Sequence, residues 1–511
     1  MSKLWVIAPA YNKEQRLTAF DGKPQRSEII FRLGKSILLL CAIYYICVFI
    51  VLSVIRIPAF IEYEWLEGLH LNLIHRILAG LSIYGPPSLE YAGIIYPPLY
   101  IYFSAGLSYI FGEGYLIPRL ISFFATLGSL LFIGKIVTDL SGSKSGGLIA
   151  AGLYAGMYGI VNCWYDFARI DSLYIFFTLA AIYWLRKSTE KGILNSVLGI
   201  AAAVCAIMTK QTAWLPILAV SLFCLSSRNR KAVWTIVFCL TAIGVSHVLA
   251  GLLTDNWFYY YVYKVPATHP VAEGIVNFFL RYELLPYLSF GLILLILSIG
   301  VSFRNKVQNK SALFLLLITP ALIIAGLLPR IKLGGAENNL MPIAAALALG
   351  GGVMFAQLNK VKIKTAMIII AVFIGFNLQI RYNPQDALPS NIEFERTQII
   401  LSVIKQMPEP MFTPCHLYLP IYAGKNSSAY WGSLVDVFLT QDQESIKLYR
   451  NLEQALKEKK FKTVILKMDF FQQNRFPEDV LLANYRELDL NTIITSQEQE
   501  LINIKVYVPR T

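Results

Sequence analysis

Apolar runs of about 17–22 residues recur along the chain, separated by short polar stretches. Each run is long enough for a helix to cross a hydrocarbon layer. They predict spans near 36–56, 116–134, 147–164, 171–185, 193–208, 212–226, 233–252, 282–302, 311–328, 340–357 and 365–380, about eleven in all. Short basic loops punctuate them: Lys135 and Lys144; Arg186, Lys187 and Lys191; Arg228, Arg230 and Lys231; Arg304, Lys306 and Lys310; Lys360, Lys362 and Lys364. Lys and Arg mark the cytoplasmic side of short loops. Placing these loops and the N-terminus inside pairs the runs into out-and-back hairpins and leaves the C-terminus outside.

One run breaks the scheme. YPPLYIYFSAGLSYIFG, residues 96–112, is apolar, but a crossing there would put every later basic loop outside. It is short, rich in Tyr and Gly, and opens on two prolines, so it reads as an interfacial or re-entrant helix. Residues 57–115 then form one long outer loop carrying helices that lie along the membrane. Residues 1–35 read as a basic cytoplasmic arm, and 36–381 as the transmembrane domain. Within the arm, WVIAPAYNKEQRL is too short and isolated to open a nucleotide-sugar-binding domain. From 382 to 511 the composition is that of a soluble domain. NLEQALKEKKFKTVILKMDF predicts an amphipathic helix followed by a buried strand, and LINIKVYVP another strand. The fold expected is a polytopic α-helical membrane protein with a small α/β domain at its outer face.

Composition agrees. Of 511 residues 56% are hydrophobic and 15% charged, where soluble domains carry roughly 25% charged residues. The net charge of +13 lies in the short loops, with no basic stripe interleaved with aromatics, which argues against nucleic acid. Of seven cysteines, six lie in or at the ends of apolar runs and Cys415 is alone in the tail, so no disulfide framework or CxxC site is expected.

With this topology the ionisable residues gather outside. The first loop holds Glu62, Glu64, Glu67, His70, His75 and Arg76; Arg119 opens the next span; YDFARIDSLY brings Asp166, Arg169 and Asp171; TKQTAW brings Lys210 and Gln211; PRIKLGGAENNLMP brings Arg330, Lys332, Glu337, Asn338 and Asn339. Charges at membrane depth are costly and mark a pathway or a site. Plainer readings stand beside this one: Glu62 and Glu64 as solvated rim residues, Asp171 as a helix cap, Lys210 as a snorkelling cation. Glu67 and His70 match a Glu-x-x-His metal pattern, but in a single copy without completing ligands, so no dedicated metal centre is predicted. Carboxylates can take protons and cations can hold a phosphate. The set suits a substrate made of phosphate, sugar and a long lipid.

Several stretches resemble, in order, the GT-C superfamily of lipid-carrier-dependent glycosyltransferases, with the bacterial aminoarabinose transferase, the protein O-mannosyltransferases and the rhizobial galacturonosyltransferases as the nearest branches. They are EGLHLNLIHRILAGLSIY, YPPLYIYF, LIPRLISFFATLGSLL, FARIDSLYIFFTLAA, TKQTAW and GAENNLMPIAAALAL, covering roughly residues 60–355. The resemblance implies an inverting transfer of a sugar from a polyprenyl-phosphate donor to a lipid, glycan or protein acceptor, outside the plasma (inner) membrane. It puts the family's catalytic carboxylate on Glu67, with Glu64 as the alternative base, and the second acid on Asp171. A Lys before the family's Pro-Pro binds the donor phosphate, but here Ile95 and Tyr96 stand there. The phosphate would fall to Arg119, Lys210, Arg330 or Lys332, and aminoarabinose itself is an unsuitable sugar. Tyr96, Glu64, His70, Arg169, Gln211, Glu337, Asn338 and Asn339 complete the expected substrate site. A divalent cation at Asp171 is left open, with no other cofactor implied. The competing reading is a lipid-linked saccharide transporter, which would show two similar halves and broken helices at mid-membrane; neither is visible.

Overall fold

Long apolar helices dominate because the first span is apolar on every side. In the computed structural model, which describes residues 26–190, 192–304, 309–467 and 475–510, helix α1 runs from Arg26 to Arg56. It begins ten residues before the expected span, so the end of the anticipated basic arm is helix. The rest of that arm lies outside the described residues. Then come α2 (Trp65–Leu78), α3 (Leu99–Phe111), α4 (Leu116–Ser141), α5 (Lys144–Gly156), α6 (Ile170–Lys187), α7 (Leu194–Thr209), α8 (Trp214–Leu225) and α9 (Arg230–Leu252). Further helices cover Ser289–Arg304, Asn309–Arg330, Met341–Gln357 and Ile363–Gln379.

Six helices among the described residues are long and apolar enough to cross a bilayer, seven if the bent pair Ile363–Gln379 and Pro384–Gln406 is one span. Eleven crossings are therefore not established by length and composition. The shortfall lies in elements such as α5, with 13 residues, and α8, with 12. At 1.5 Å per residue these reach about 20 Å, short of the roughly 30 Å hydrocarbon core. Helix α3 is also short, at 13 residues. It buries Tyr100, Ile101, Ser104 and Ala105 and leaves Tyr102, Phe103, Tyr109, Ile110 and Phe111 exposed.

Met341–Gln357 is the centre of the bundle, with 94% of its apolar window buried. Its AAALALGGG run lets neighbours approach to backbone contact. A Cβ on Gly352 would stand 2.6 Å from the Gly146 carbonyl oxygen and from Ala150 Cβ of α5. One on Gly152 of α5 would stand 2.3 Å from the Ala42 backbone of α1. Small residues at such crossings are how helices pack tightly within a bilayer.

The tail builds a four-stranded sheet in the order β1-β2-β4-β3, with β1 Met411–Phe412, β2 Thr463–Lys467, β3 Tyr485–Glu487 and β4 Ile504–Pro509. Strands β1 and β2 are parallel and the other pairings antiparallel. Side chains alternate across the sheet. Ile465, Ile504 and Val506 pack under the helix Asn391–Gln406. Val464, Leu466 and Tyr507 enter a larger core shared with Leu69, Leu73, Tyr100 and Ile101 of the first loop. The tail thus shares its main core with helices α2 and α3. Polar ties add to this: Glu62 with His416 at 3.1 Å, Lys264 with Asp442 at 2.7 Å, and Asn72 with Ser427 at 3.2 Å.

Gly352→Leu should disrupt the contact between Met341–Gln357 and α5. Overpacking costs roughly 1–3 kcal/mol even in yielding cores, and the obstacle here is backbone. A clear drop in melting temperature in detergent is expected; an unchanged melting curve would refute this packing.

Candidate active site

Glu67 sits in the first turn of α2, near the partly positive helix start. It is fully buried and spends its carboxylate on four donors. Arg119 of α4 gives Nε at 2.9 Å and Nη2 at 2.6 Å, the Tyr63 N–H lies at 3.0 Å, and the Ala168 N–H at 2.7 Å. Arg119 also donates to the carbonyls of Ala59 at 2.7 Å and Ile61 at 2.6 Å. This forked pair stitches the first loop, α4 and the turn before α6 into one unit. Glu67, expected from the sequence as the base, and Arg119, expected at the donor phosphate, thus have their bonding met within the protein. A buried, bidentate, fully hydrogen-bonded pair has no spare lone pair or donor to lend.

Glu64 differs. It caps α2, its Oε2 accepting from the Leu66 N–H at 3.0 Å and from Arg169 Nη1 at 3.2 Å. Its Oε1 accepts no bond among the described residues. Burial drives its carboxyl up to about 7, and neighbouring Glu67 and Glu62 push the same way, against the pull of Arg169 and the Leu66 N–H. It lines a cavity of about 550 Å³ with Tyr63 and Trp65 from the loop and Arg396, His416 and Trp431 from the tail.

Behind Glu64 a line of charges runs inward. Arg169 Nε stands 3.8 Å from Asp171 Oδ2, and both atoms are buried with no hydrogen-bond partner. Asp171 Oδ1 accepts from Lys210 Nζ at 2.8 Å and Asn338 Nδ2 at 3.0 Å, and Lys210 also donates to Asn339 Oδ1 at 3.0 Å. Lys210 stands over the rings of Tyr96 at 5.7 Å and Tyr174 at 5.6 Å. These residues converge because each closes or opens a helix at the same end of the bundle: Asp171 starts α6, Lys210 follows α7, and Asn338 and Asn339 precede Met341–Gln357.

His70, one turn from Glu67, is buried against Tyr100. Burial and the nearby Arg169 push it down to about 3, so it is neutral; its Nδ1–H donates to Leu66 O at 2.7 Å and its Nε2 faces no partner. Gln211 ties Ile95 O at 3.0 Å to Val262 O at 3.2 Å. The remaining expected residues stand elsewhere. Arg330 is clamped on Glu283, with Nε 3.1 Å from both oxygens, and lies 3.9 Å from Glu337. Lys332 donates to Pro266 O at 2.8 Å, beside a bridge between Val271 and Lys332. Arg330 and Lys332 thus bind the segment between α9 and Ser289–Arg304, Glu337 stands beside Arg330, and no bond links the three to the Asp171 cluster among the described residues.

Sequence reasoning missed the partners. Arg56, closing α1, pairs with Asp166 at 3.1 Å, and Asp166 also accepts from Tyr158 at 2.8 Å. An arginine at the end of an otherwise apolar helix was the available signal. Glu283, a lone carboxylate in an apolar stretch, was another. No signal marked Arg396 or His416, which come from a tail read as scaffold. Among the described residues no group of three or more His, Cys, Asp or Glu side chains could hold a metal. A divalent cation at Asp171 would have to displace an ammonium at 2.8 Å, so these residues do not fit one.

Residues 96–252 match the family model described as dolichyl-phosphate-mannose-protein mannosyltransferase. No curated protein matches the chain by sequence. The crystal structure of ArnT from Cupriavidus metallidurans bound to undecaprenyl phosphate is similar with a TM-score of 0.58, at 11% identity over 91% of this chain and 97% of that one. The apo structure of the same protein gives a TM-score of 0.54 at 12% identity, over 91% of this chain and 97% of that one. The fold is therefore shared end to end with little sequence in common.

Breaking a buried ion pair by removing one charge costs about 3–5 kcal/mol. Glu67→Gln and Arg119→Ala should each lower the melting temperature in detergent sharply, while Glu64→Gln, whose carboxyl is already raised to about 7 and whose amide oxygen can still accept from the Leu66 N–H and Arg169, lowers it less. Equal melting of Glu67→Gln and wild type would contradict the structural role given to Glu67.

Proposed function

We propose that this chain is a glycosyltransferase of the GT-C superfamily, a reading supported by its ArnT-like fold and by the family match over residues 96–252, and that it transfers a sugar from a polyprenyl-phosphate donor to a lipid, glycan or protein acceptor at the extracytoplasmic face of the inner membrane, with Glu64 as general base. The observation that carries this reading is Glu64 itself. It is a half-free carboxylate on a cavity wall, raised to about 7, and held 3.2 Å from the arginine that leads to the Asp171 and Lys210 pair.

Glu64 Oε1 takes the proton from the acceptor hydroxyl or amine. The freed lone pair attacks the anomeric carbon. The bond from that carbon to the phosphate oxygen breaks, and polyprenyl phosphate leaves with the electron pair. One displacement inverts the anomeric centre. A placed general base is worth roughly 10²–10⁴-fold, most when its pKa is near the working pH. Arg169 and Lys210 receive the charge that grows on the leaving phosphate, a term that is large in a site closed to water. Asp171 positions both cations, and its orphaned Oδ2 opposite Arg169 Nε marks where a ligand group can settle. The bound undecaprenyl phosphate of the similar ArnT structure supports a lipid phosphate as the leaving group.

Glu64→Gln should lower transfer in purified enzyme by at least 10²-fold with the folded fraction unchanged. In wild type the rate should rise with pH through about 7, because a base acts only once deprotonated. A rate flat across that range, or Glu64→Gln keeping a tenth of wild-type transfer, would overturn the assignment.

A further inference from the structure

The other end of α1 carries a second constellation. From Lys35 to Arg56 the helix covers about 30 Å at 1.5 Å per residue, the thickness of a hydrocarbon core. Arg56 lies beside the candidate site, paired with Asp166. Lys35 therefore stands at head-group depth on the opposite membrane face. There α1, the turn after Met341–Gln357 and the start of Ile363–Gln379 line a cavity of about 610 Å³, with Glu28, Arg32, Lys35, Asn359 and the apolar Leu39 and Ile363 among its walls.

Three features of this cavity point to one ligand chemistry. Arg32 is exposed and makes no side-chain hydrogen bond or ion pair among the described residues, while Lys35 donates only to the neutral Asn359 Oδ1 at 3.2 Å. Two cations thus face one lining carboxylate, Glu28, whereas most buried cations at the other end of the bundle have an acidic partner. The adjoining turn adds Lys360, Lys362 and Lys364, all exposed. Apart from Ser36 the remaining wall is apolar, formed by Phe31, Leu39, Leu358, Val361, Ile363 and Ala366, so the cavity joins a charged rim to an apolar lining. A phosphate ester with acyl chains matches both halves. Basic pockets between spans at a membrane face bind anionic lipid head groups in this way, and arginine gives phosphate a two-pronged donor that lysine lacks.

We infer that this pocket holds the head group of an anionic phospholipid from the leaflet opposite the candidate site, with Arg32 and Lys35 on its phosphate. It clasps α1 to Ile363–Gln379, the helix that leads into the tail.

The test is native mass spectrometry of the full chain released from nanodiscs of mixed phosphatidylglycerol and phosphatidylcholine. Retention of phosphatidylglycerol over phosphatidylcholine by about tenfold is expected, falling to parity in the Arg32→Gln, Lys35→Gln double variant. Melting curves with and without added phosphatidylglycerol provide a second readout. Wild type should gain stability from the anionic lipid, and the double variant should melt like lipid-free wild type with or without it. Equal retention of the two lipids, undiminished retention by the double variant, or full competition by glycerol phosphate, which has no chains, would each overturn the inference.

Discussion

A guanidinium and a carboxylate withdrawn from water at a membrane surface hold the rest of this structure in place. Arg119 and Glu67 come from segments fifty residues apart in the chain, and neither is exposed. Separately, each would be an uncompensated charge beside hydrocarbon, at a cost of several kcal/mol. Together, with the carbonyls of Ala59 and Ile61 and the N–H groups of Tyr63 and Ala168 completing their bonding, they fix the first loop against α4 and against the turn before α6. Glu64 caps the same helix whose first turn Glu67, three residues on, anchors through four bonds. Arg169 can meet both Glu64 and Asp171 because the Ala168 N–H is pinned to Glu67.

Two glutamates one helical turn apart thus have opposite roles, set by environment. Glu67 accepts four bonds and is spent on architecture. Glu64 accepts two, both at one oxygen, and burial without full compensation raises it towards neutrality. The cations divide in a similar way. Arg119 and Arg330 are each closed on a carboxylate and on backbone carbonyls. Arg169 shares Asp171 with Lys210 and keeps an orphaned Nε, and Arg56, paired with Asp166, keeps an orphaned Nη2.

Much of this was legible in the chain. Apolar runs of bilayer length located α1, α4 and α9. The two prolines and the tyrosines at 96–112 marked a short helix, now Leu99–Phe111. The junctions Ala168–Asp171, Thr209–Trp214 and Glu337–Asn339 were picked out by polar residues at the ends of apolar runs, and Asp171, Lys210, Asn338 and Asn339 do meet. What stayed hidden depends on contacts distant in sequence. Nothing local says that Arg119 reaches Glu67 rather than a substrate, that Arg330 has a partner in Glu283, or that Lys332 serves a loop carbonyl. The choice between Glu64 and Glu67 was undecidable for the same reason, since a cap position and a first-turn position read alike until their neighbours are known. The α/β character of the tail was legible in its composition and strand patterns, whereas the core it shares with α2 and α3 depends on contacts distant in sequence.

Infrared difference spectroscopy of the carboxyl groups during a pH titration, wild type against Glu64→Gln, tests the division between the two glutamates most directly. If Glu64 is the poised base, wild type shows a protonated carboxyl band that vanishes with a midpoint of about 7 and is missing from Glu64→Gln. A band with that midpoint surviving in Glu64→Gln, or no carboxyl titrating near neutrality in wild type, would contradict it.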